Sequence, residues 1–146
     1  MLVIHNVSLI DLTSHKIVPS PFDVAVWKTN NGDCVLNKDK LTQMIEAENF
    51  APHKKNHEWL KLDMNDASDY HHARVANLVV NPNNSPILLN LNKDKLKVAD
   101  GFHRLSAHIY KGDKEIAIAF PNHRLPGIRK MYPDLLKNKK DISPSL

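Results

Sequence analysis

Residues 96–120, LKVADGFHRLSAHIYKGDKEIAIAF, switch between two structural patterns without a linker. A short apolar run ends at Asp100-Gly101, and a helical pattern follows at once, with three apolar residues spaced for one helix face: Phe102, Leu105 and Ile109. Gly112 is a natural terminator for this helix. Residues 115–120 are apolar on both faces, which is typical of a central strand. The stretch therefore predicts a strand, a helix and a buried strand in succession.

The residues before this stretch predict further helix and strand. PILLNL and KLKVAD flank NKDK, which favours a β-hairpin over residues 86–98. A helix running to about Val80 precedes the hairpin, with Asp66 or Ser68 as its N-cap, and NPNNSP then enforces an extended chain. We therefore expect an α+β fold in which the hairpin and the 115–120 strand share one sheet.

The N-terminal part of the chain predicts a small additional element. MLVIHNVSLIDL and FDVAVW are typical of strands, and a helix follows with Asn37 or Asp39 as its cap. Such a short segment buries too little surface for secure stability by itself, so we expect residues 1–49 to pack as a hairpin-plus-helix extension on a core at residues 50–122. Residues 123–146 are then a basic C-terminal tail.

The composition is typical of a globular protein, with 42% hydrophobic and 25% charged residues in a chain of 146. The single cysteine, Cys34, excludes an internal disulfide and suits a reducing compartment. The apolar N-terminus is too short for a membrane span and lacks the basic leader of a signal peptide. We therefore expect a cytoplasmic protein that does not associate with membranes.

The positive charge is concentrated near the C-terminus. The net charge is +4, and between Arg124 and Lys140 six basic residues face a single acid, Asp134. A basic tail attracts phosphate-rich partners, which indicates contact with nucleic acid. A solvated terminal helix kept soluble by its lysines explains the same pattern.

The Asp100-Gly101 corner has the chemistry of an anion site. A helix start presents unpaired backbone N–H groups and a partial positive charge. Gly101 clears the approach of a ligand, while His103 and Arg104 add hydrogen-bond donors, and these are the features that bind a phosphate. A purely structural corner is the alternative, with Asp100 as the helix cap, Arg104 paired to a carboxylate and His103 on the surface.

The same residues carry a family resemblance. SPILLNL followed by LKVADGFHRLSAHIYKGDKEIAIAF resembles the core of the ParB/sulfiredoxin superfamily: a Pro-Ile strand, a strand ending in Asp-Gly, then x-His-Arg on a helix, a Gly and another strand. APHKKNHEWL is similar to the Pro-containing segment that opens this core. The resemblance covers roughly residues 50–122 and implies a ParB/sulfiredoxin-like fold there.

The resemblance also implies a site and a ligand. In the superfamily this corner binds nucleotide phosphates, which implies contacts to ATP or CTP, with Mg²⁺ as an option, from Gly101, Phe102, His103 and Arg104. It implies an NTPase, phosphotransferase or nuclease in which His103, Arg104 and Asp100 are catalytic, His103 serving as acid or base because the histidine pKa is near neutral. The alternative is a non-catalytic nucleotide- or DNA-binding regulatory protein.

Departures from the superfamily narrow these activities. Sulfiredoxins carry a catalytic Cys where this chain has Phe102, so sulfinic-acid reduction is not expected. The serine-kinase relatives carry an acid after a Pro-His pair, whereas here Lys54 follows Pro52-His53 and Glu58 lies a helical turn further on. Partition proteins continue into a helix-turn-helix domain, for which the residues after the core are too few.

Other side-chain groups have weaker signals. His53 and His57 have the spacing of zinc ligands, but no third ligand stands at a telling distance, so exposed histidines explain them as well. His71 and His72 are neighbours that point in different directions on a helix.

An acidic run and three aromatic residues complete the candidates. Asp63, Asp66 and Asp69 either cap a helix or hold a divalent cation beside phosphates, and no metal ligands are assigned. Three aromatic residues belong to the core, or one of them stacks on a base: Trp27, Trp59 and Tyr70.

Overall fold

The computed structural model describes residues 1–17, 25–29, 32–48, 64–93 and 95–136. These residues form both helices and a mixed, mainly antiparallel sheet, which confirms the predicted α+β class in general terms. In chain order the elements are β1 (Leu2–Ser8), α1 (Leu9–Ser14), β2 (Ala25–Thr29), β3 (Gly32–Val35), α2 (Lys38–Glu46), α3 (Met64–Val80), β4 (Ile87–Asn92), β5 (Lys95–Asp100), α4 (Phe102–Lys111), β6 (Glu115–Pro121) and α5 (Leu125–Met131).

The chain divides into two compact units, each assembled from separate stretches. The sheet unit comprises Met1–Ser20, Asn84–Gly101 and Gly112–Leu146, and the helical unit comprises Pro21–Asn83 and Phe102–Lys111. The segments predicted from the sequence, 1–49, 50–122 and 123–146, are consecutive, so each unit draws on more than one of them. None of the helices in the described ranges is long and apolar enough to cross a membrane.

The sheet unit is built on a four-stranded sheet in the order β1-β6-β4-β5. β4 and β5 form the predicted hairpin, with Asn92 opposite Lys95 next to its turn. β6 lies between β1 and β4, parallel to β4, and four of its side chains are buried: Ile116, Ile118, Ala119 and Phe120. The prediction of a central strand at 115–120 is therefore confirmed.

The first twelve residues differ from the prediction of a single strand. β1 ends at Ser8 and α1 begins at Leu9, whose N–H donates to the carbonyl of Lys114 at 2.9 Å. Leu12 then turns into the core and is buried. β1 pairs antiparallel with β6 over its whole length, so these residues complete the four-stranded sheet.

Part of the predicted basic tail packs into the sheet unit. A 3-10 turn at Asn122–Arg124 leads into α5, and four apolar side chains after it are buried: Ile128, Tyr132, Leu135 and Leu136. Tyr132 Oη accepts a hydrogen bond of 3.0 Å from the Leu96 N–H on the edge strand β5. Arg129 and Lys130 are exposed, and residues 137–146 lie outside the described part of the chain.

The helical unit combines the β2–β3 hairpin with α2, α3 and α4. Its core includes six buried residues: Cys34, Leu36, Leu41, Val75, Ala76 and Ala107. Asn37 caps α2, because its side-chain Oδ1 accepts from the Lys40 N–H at 3.0 Å, and Asp39 lies within the first turn. α3 begins at Met64, so Asp66 and Ser68 lie inside the helix and the prediction that one of them caps it is wrong.

Candidate functional site

The start of α4 has the backbone predicted for the Asp-Gly corner. Gly101 has φ of +102°, a conformation that L side chains rarely adopt, and α4 begins at the next residue. The first turn of α4 contains no acidic residue. Asp100 is the last residue of β5 and is exposed, whereas Phe102, His103 and Arg104 are half-buried. Side chains that are partly open and partly fixed by packing are suited to hold a ligand.

His103 is bonded to a second histidine on a different helix. Its Nε2 lies 2.9 Å from Nδ1 of His71 on α3, and the two rings stack with centroids 5.1 Å apart at an angle of 27°. One of these two nitrogens must carry the hydrogen and the other must accept it. His71 is fully buried, so α3 provides a rigid support for the ring of His103.

Two arginines act on this histidine pair. Burial and the charges of Arg74 and Arg104 lower the pKa of His103 to about 3. Burial, the neighbouring His103 and Arg74 lower the pKa of His71 to about 2. Both rings are therefore neutral at pH 7, and the near-neutral pKa expected for His103 from its residue type is wrong, because the expectation took no account of burial or of Arg74.

Tyr70 contacts both His71 and Arg74, which lie on the same helix, α3. Its ring packs edge-on against His71 with centroids 4.9 Å apart, and its hydroxyl accepts a 3.4 Å hydrogen bond from Arg74. The Arg74 guanidinium carbon lies 6.0 Å from the centre of the same ring. Tyr70 is buried, as one reading of the sequence expected, and it fixes the positions of both residues.

We call His71, Arg74, His103 and Arg104 the histidine–arginine cluster. Sequence reasoning identified the α4 residues and noted His71, but it missed Arg74. The available signal was the spacing of His71 and Arg74, three residues apart on α3, which places two polar side chains on one helix face.

His72 bonds to different residues from those that His71 contacts, as expected for neighbouring residues that point in different directions on a helix. Its Nε2 accepts from the Asn37 N–H at 2.8 Å, and its Nδ1 donates to the Ser68 carbonyl at 2.7 Å. Burial lowers the pKa of His72 more than the Ser68 carbonyl raises it. Lys40 of α2 donates to the Ser68 hydroxyl and pairs with Asp69. These bonds join α2 to α3.

The remaining candidate residues do not assemble into a metal site where the structure can be described. Among residues 1–17, 25–29, 32–48, 64–93 and 95–136, no group of three or more His, Cys, Asp or Glu side chains is placed to hold a metal ion. Asp69 of the acidic run pairs with Lys40. Several candidates lie outside the described residues: Pro52, His53, Lys54, His57, Glu58, Trp59 and Asp63. Trp27 lies in β2 and Cys34 is buried.

Comparisons with models of known protein families, with curated proteins and with solved structures found no match to this chain. The resemblance to the ParB/sulfiredoxin superfamily therefore stays a prediction, and its basis is the sequence of roughly residues 50–122. The chemistry of the histidine–arginine cluster has to be argued from its own geometry.

Proposed function

We propose that the protein binds the phosphate groups of a nucleotide, ATP or CTP, at the histidine–arginine cluster and the first turn of α4. The observation that carries this proposal is that both charges acting on the half-buried His103 are cationic, Arg74 from α3 and Arg104 from α4. Arginine binds two phosphate oxygens at once, and a helix start adds backbone N–H donors. We also propose that residues 50–122 have a ParB/sulfiredoxin-like core, for which the order β4-β5-α4-β6 is supporting evidence.

The protonation state of His103 supports one of the two predicted roles of this site over the other. A group with a pKa of about 3 binds a proton only weakly at pH 7, so His103 is a poor general base there. It is a neutral hydrogen-bonding group beside two cations. The cluster therefore supports phosphate binding and charge stabilisation better than proton abstraction by His103, and we propose a nucleotide-binding protein in which the two arginines hold the phosphates.

Titration of the protein with ATP and with CTP, at fixed salt and with and without Mg²⁺, tests the proposal. Charge-assisted hydrogen bonds are each worth roughly 1.5–3 kcal/mol, so Arg104→Ala should weaken binding by about tenfold or more. Arg124→Ala is the matched control, because it removes the same charge from an exposed residue of the sheet unit. Equal affinities for the wild type and Arg104→Ala, or equal losses in both variants, would overturn the proposal.

A further inference from the structure

The two histidines of the cluster are arranged to accept one proton without moving. When both are neutral, one ring donates through the 2.9 Å contact between His71 Nδ1 and His103 Nε2, and the other accepts. The donor ring still has a lone pair on its far nitrogen. A proton added there turns the contact into a charge-assisted bond, which is stronger than the neutral one. A second proton would place hydrogens on both facing nitrogens and break the contact, so the pair has capacity for one.

The charges around the pair oppose this proton in the free protein. Arg74 acts on both rings and Arg104 acts on His103. Burial opposes the charge as well, since His71 is fully enclosed. The neighbouring Tyr70 contributes an aromatic edge against His71.

The charged groups on the α2 side of α3 act on a different histidine. Lys40 and Asp69 contribute to the pKa shift of His72, with opposite signs, and they pair with each other. The permanent charges that oppose a proton on the pair are therefore the two arginines, with a smaller opposing effect of His72 on His71, and the arginines are the groups that an anionic ligand would neutralise.

We propose that phosphate binding at the histidine–arginine cluster, itself the function proposed above, is coupled to the uptake of one proton by the His71–His103 pair. An anion held by Arg74 and Arg104 cancels the repulsion that keeps the pair neutral, and the protonated pair in turn attracts the anion. By linkage, each effect strengthens the other by the same factor. The site then favours a dianionic phosphate over a neutral analogue of the same shape, and it binds this dianion more tightly as the pH falls.

Calorimetric titration with sulfate tests the coupling, because sulfate stays dianionic between pH 5.5 and 8 and contributes no protons of its own. Each titration is repeated in buffers of different ionisation enthalpy, so that proton uptake is measured directly. We expect uptake that approaches one proton per sulfate at the lower pH values, with an affinity that rises by up to about tenfold per pH unit. ATP and CTP should show the same uptake after correction for their own titration.

The double variant His71→Asn/His103→Asn is the informative one. It removes both titratable rings, so proton uptake should fall to near zero while sulfate binding persists through the arginines. His108→Asn, on the same helix as His103, is the control and should keep the full uptake. Titration of the imidazole proton signals of the wild-type protein by NMR, with and without sulfate, gives the same answer without a variant.

The outcomes separate the two proposals. Sulfate and nucleotide binding that releases or takes up no protons, with an affinity independent of pH, would overturn the coupling and leave the proposed function standing. Failure of sulfate, ATP and CTP to bind at any pH would overturn the proposed function and the coupling together. Uptake that survives in the double His71→Asn/His103→Asn variant would assign the proton to another group and overturn the coupling.

Discussion

Two neighbouring residues of α3, His71 and His72, are both fully buried and both neutral at pH 7, yet their surroundings differ. His72 sits at the α2–α3 junction, which we define as Asn37, Lys40, Ser68, Asp69 and His72. There it donates to one backbone carbonyl and accepts from one backbone N–H. His71 instead bonds to a second titratable side chain, His103, beside Arg74 and Arg104.

The two regions differ in how the nearby charges change the pKa of each histidine. At the α2–α3 junction, Lys40 and Asp69 oppose each other in their effect on the pKa of His72. In the histidine–arginine cluster, Arg74 and Arg104 both lower the pKa of His103. Backbone partners and balanced charge stabilise a fold, whereas like charges gathered at a buried titratable pair are unfavourable until an anion arrives. We infer a structural role for the junction and a ligand-binding role for the cluster.

The largest effect should come from breaking the junction. His72→Ala removes the acceptor of the Asn37 N–H and leaves a cavity at a fully buried site. We expect the free energy of unfolding to fall by about 3 kcal/mol, measured by urea denaturation at pH 7. His123→Ala, at an exposed position, should change it by less than about 0.5 kcal/mol. A loss below about 1 kcal/mol for His72→Ala would contradict the structural role of the junction.

Lowering the pH should destabilise both regions. Histidines in the unfolded chain have a pKa near 6.5, whereas burial lowers the pKa of His103 to about 3 and that of His71 to about 2. The unfolded chain therefore binds more protons below pH 6.5, and stability falls as the pH decreases from about 6.5 towards 3. Each such histidine contributes up to about 1.4 kcal/mol per pH unit. Denaturant unfolding between pH 7.5 and 4.5 measures the slope.

Variants assign that slope to the two regions. His103→Asn should reduce it by removing one member of the pair, and His72→Ala should reduce it by removing the buried histidine of the α2–α3 junction. A stability that stays constant between pH 6.5 and 5 in the wild type would show that these histidines are accessible to protons in the folded protein, which contradicts their burial.

Local sequence patterns predicted most of the helices and strands. Contacts between residues far apart in the sequence determined the features that these patterns could not indicate. The glycines that bound α4 are visible in the sequence, and both have positive φ, +102° at Gly101 and +73° at Gly112. The β4–β5 hairpin followed from alternating residues around a polar turn. The pairing of β1 with β6 joins opposite ends of the chain, and no local pattern identifies it.

The candidate site was also predictable only where its residues are close together in the sequence. Gly101, His103 and Arg104 were predicted because they are close in sequence at a recognisable corner. His71 on α3 bonds to His103 on α4, although the two residues are 32 positions apart in the sequence. Their contact depends on how α3 packs against α4, and the lowered pKa of His103 depends on that contact. Without knowledge of that packing, the ordinary near-neutral histidine pKa was the expected value for His103.

The sheet unit also contains a hydrogen bond from a backbone N–H to a buried side chain, which can be compared with the bond at His72. Tyr132 Oη accepts from the Leu96 N–H in a buried position, as His72 accepts from the Asn37 N–H. Tyr132→Phe removes the acceptor and leaves no large cavity, so we expect a loss of about 1–2 kcal/mol in the free energy of unfolding. A loss as large as that of His72→Ala would mean that the hydrogen bond, and not the cavity, dominates at both sites. Parallel urea denaturation of the two variants measures the difference.

The smallest loss of stability should come from substitution of the Asn37 side chain. The backbone and the side chain of Asn37 have separate hydrogen-bond partners. Its N–H donates to His72, while its Oδ1 accepts from the Lys40 N–H and caps α2. Asn37→Ala removes only the cap and should cost about 1 kcal/mol, whereas Asn37→Ser restores an acceptor and should recover most of the loss. Thermal or urea unfolding of both variants measures this. If Asn37→Ala is as stable as the wild type, the cap contributes nothing, and the stability of the α2–α3 junction rests on His72 and the Lys40–Asp69 pair.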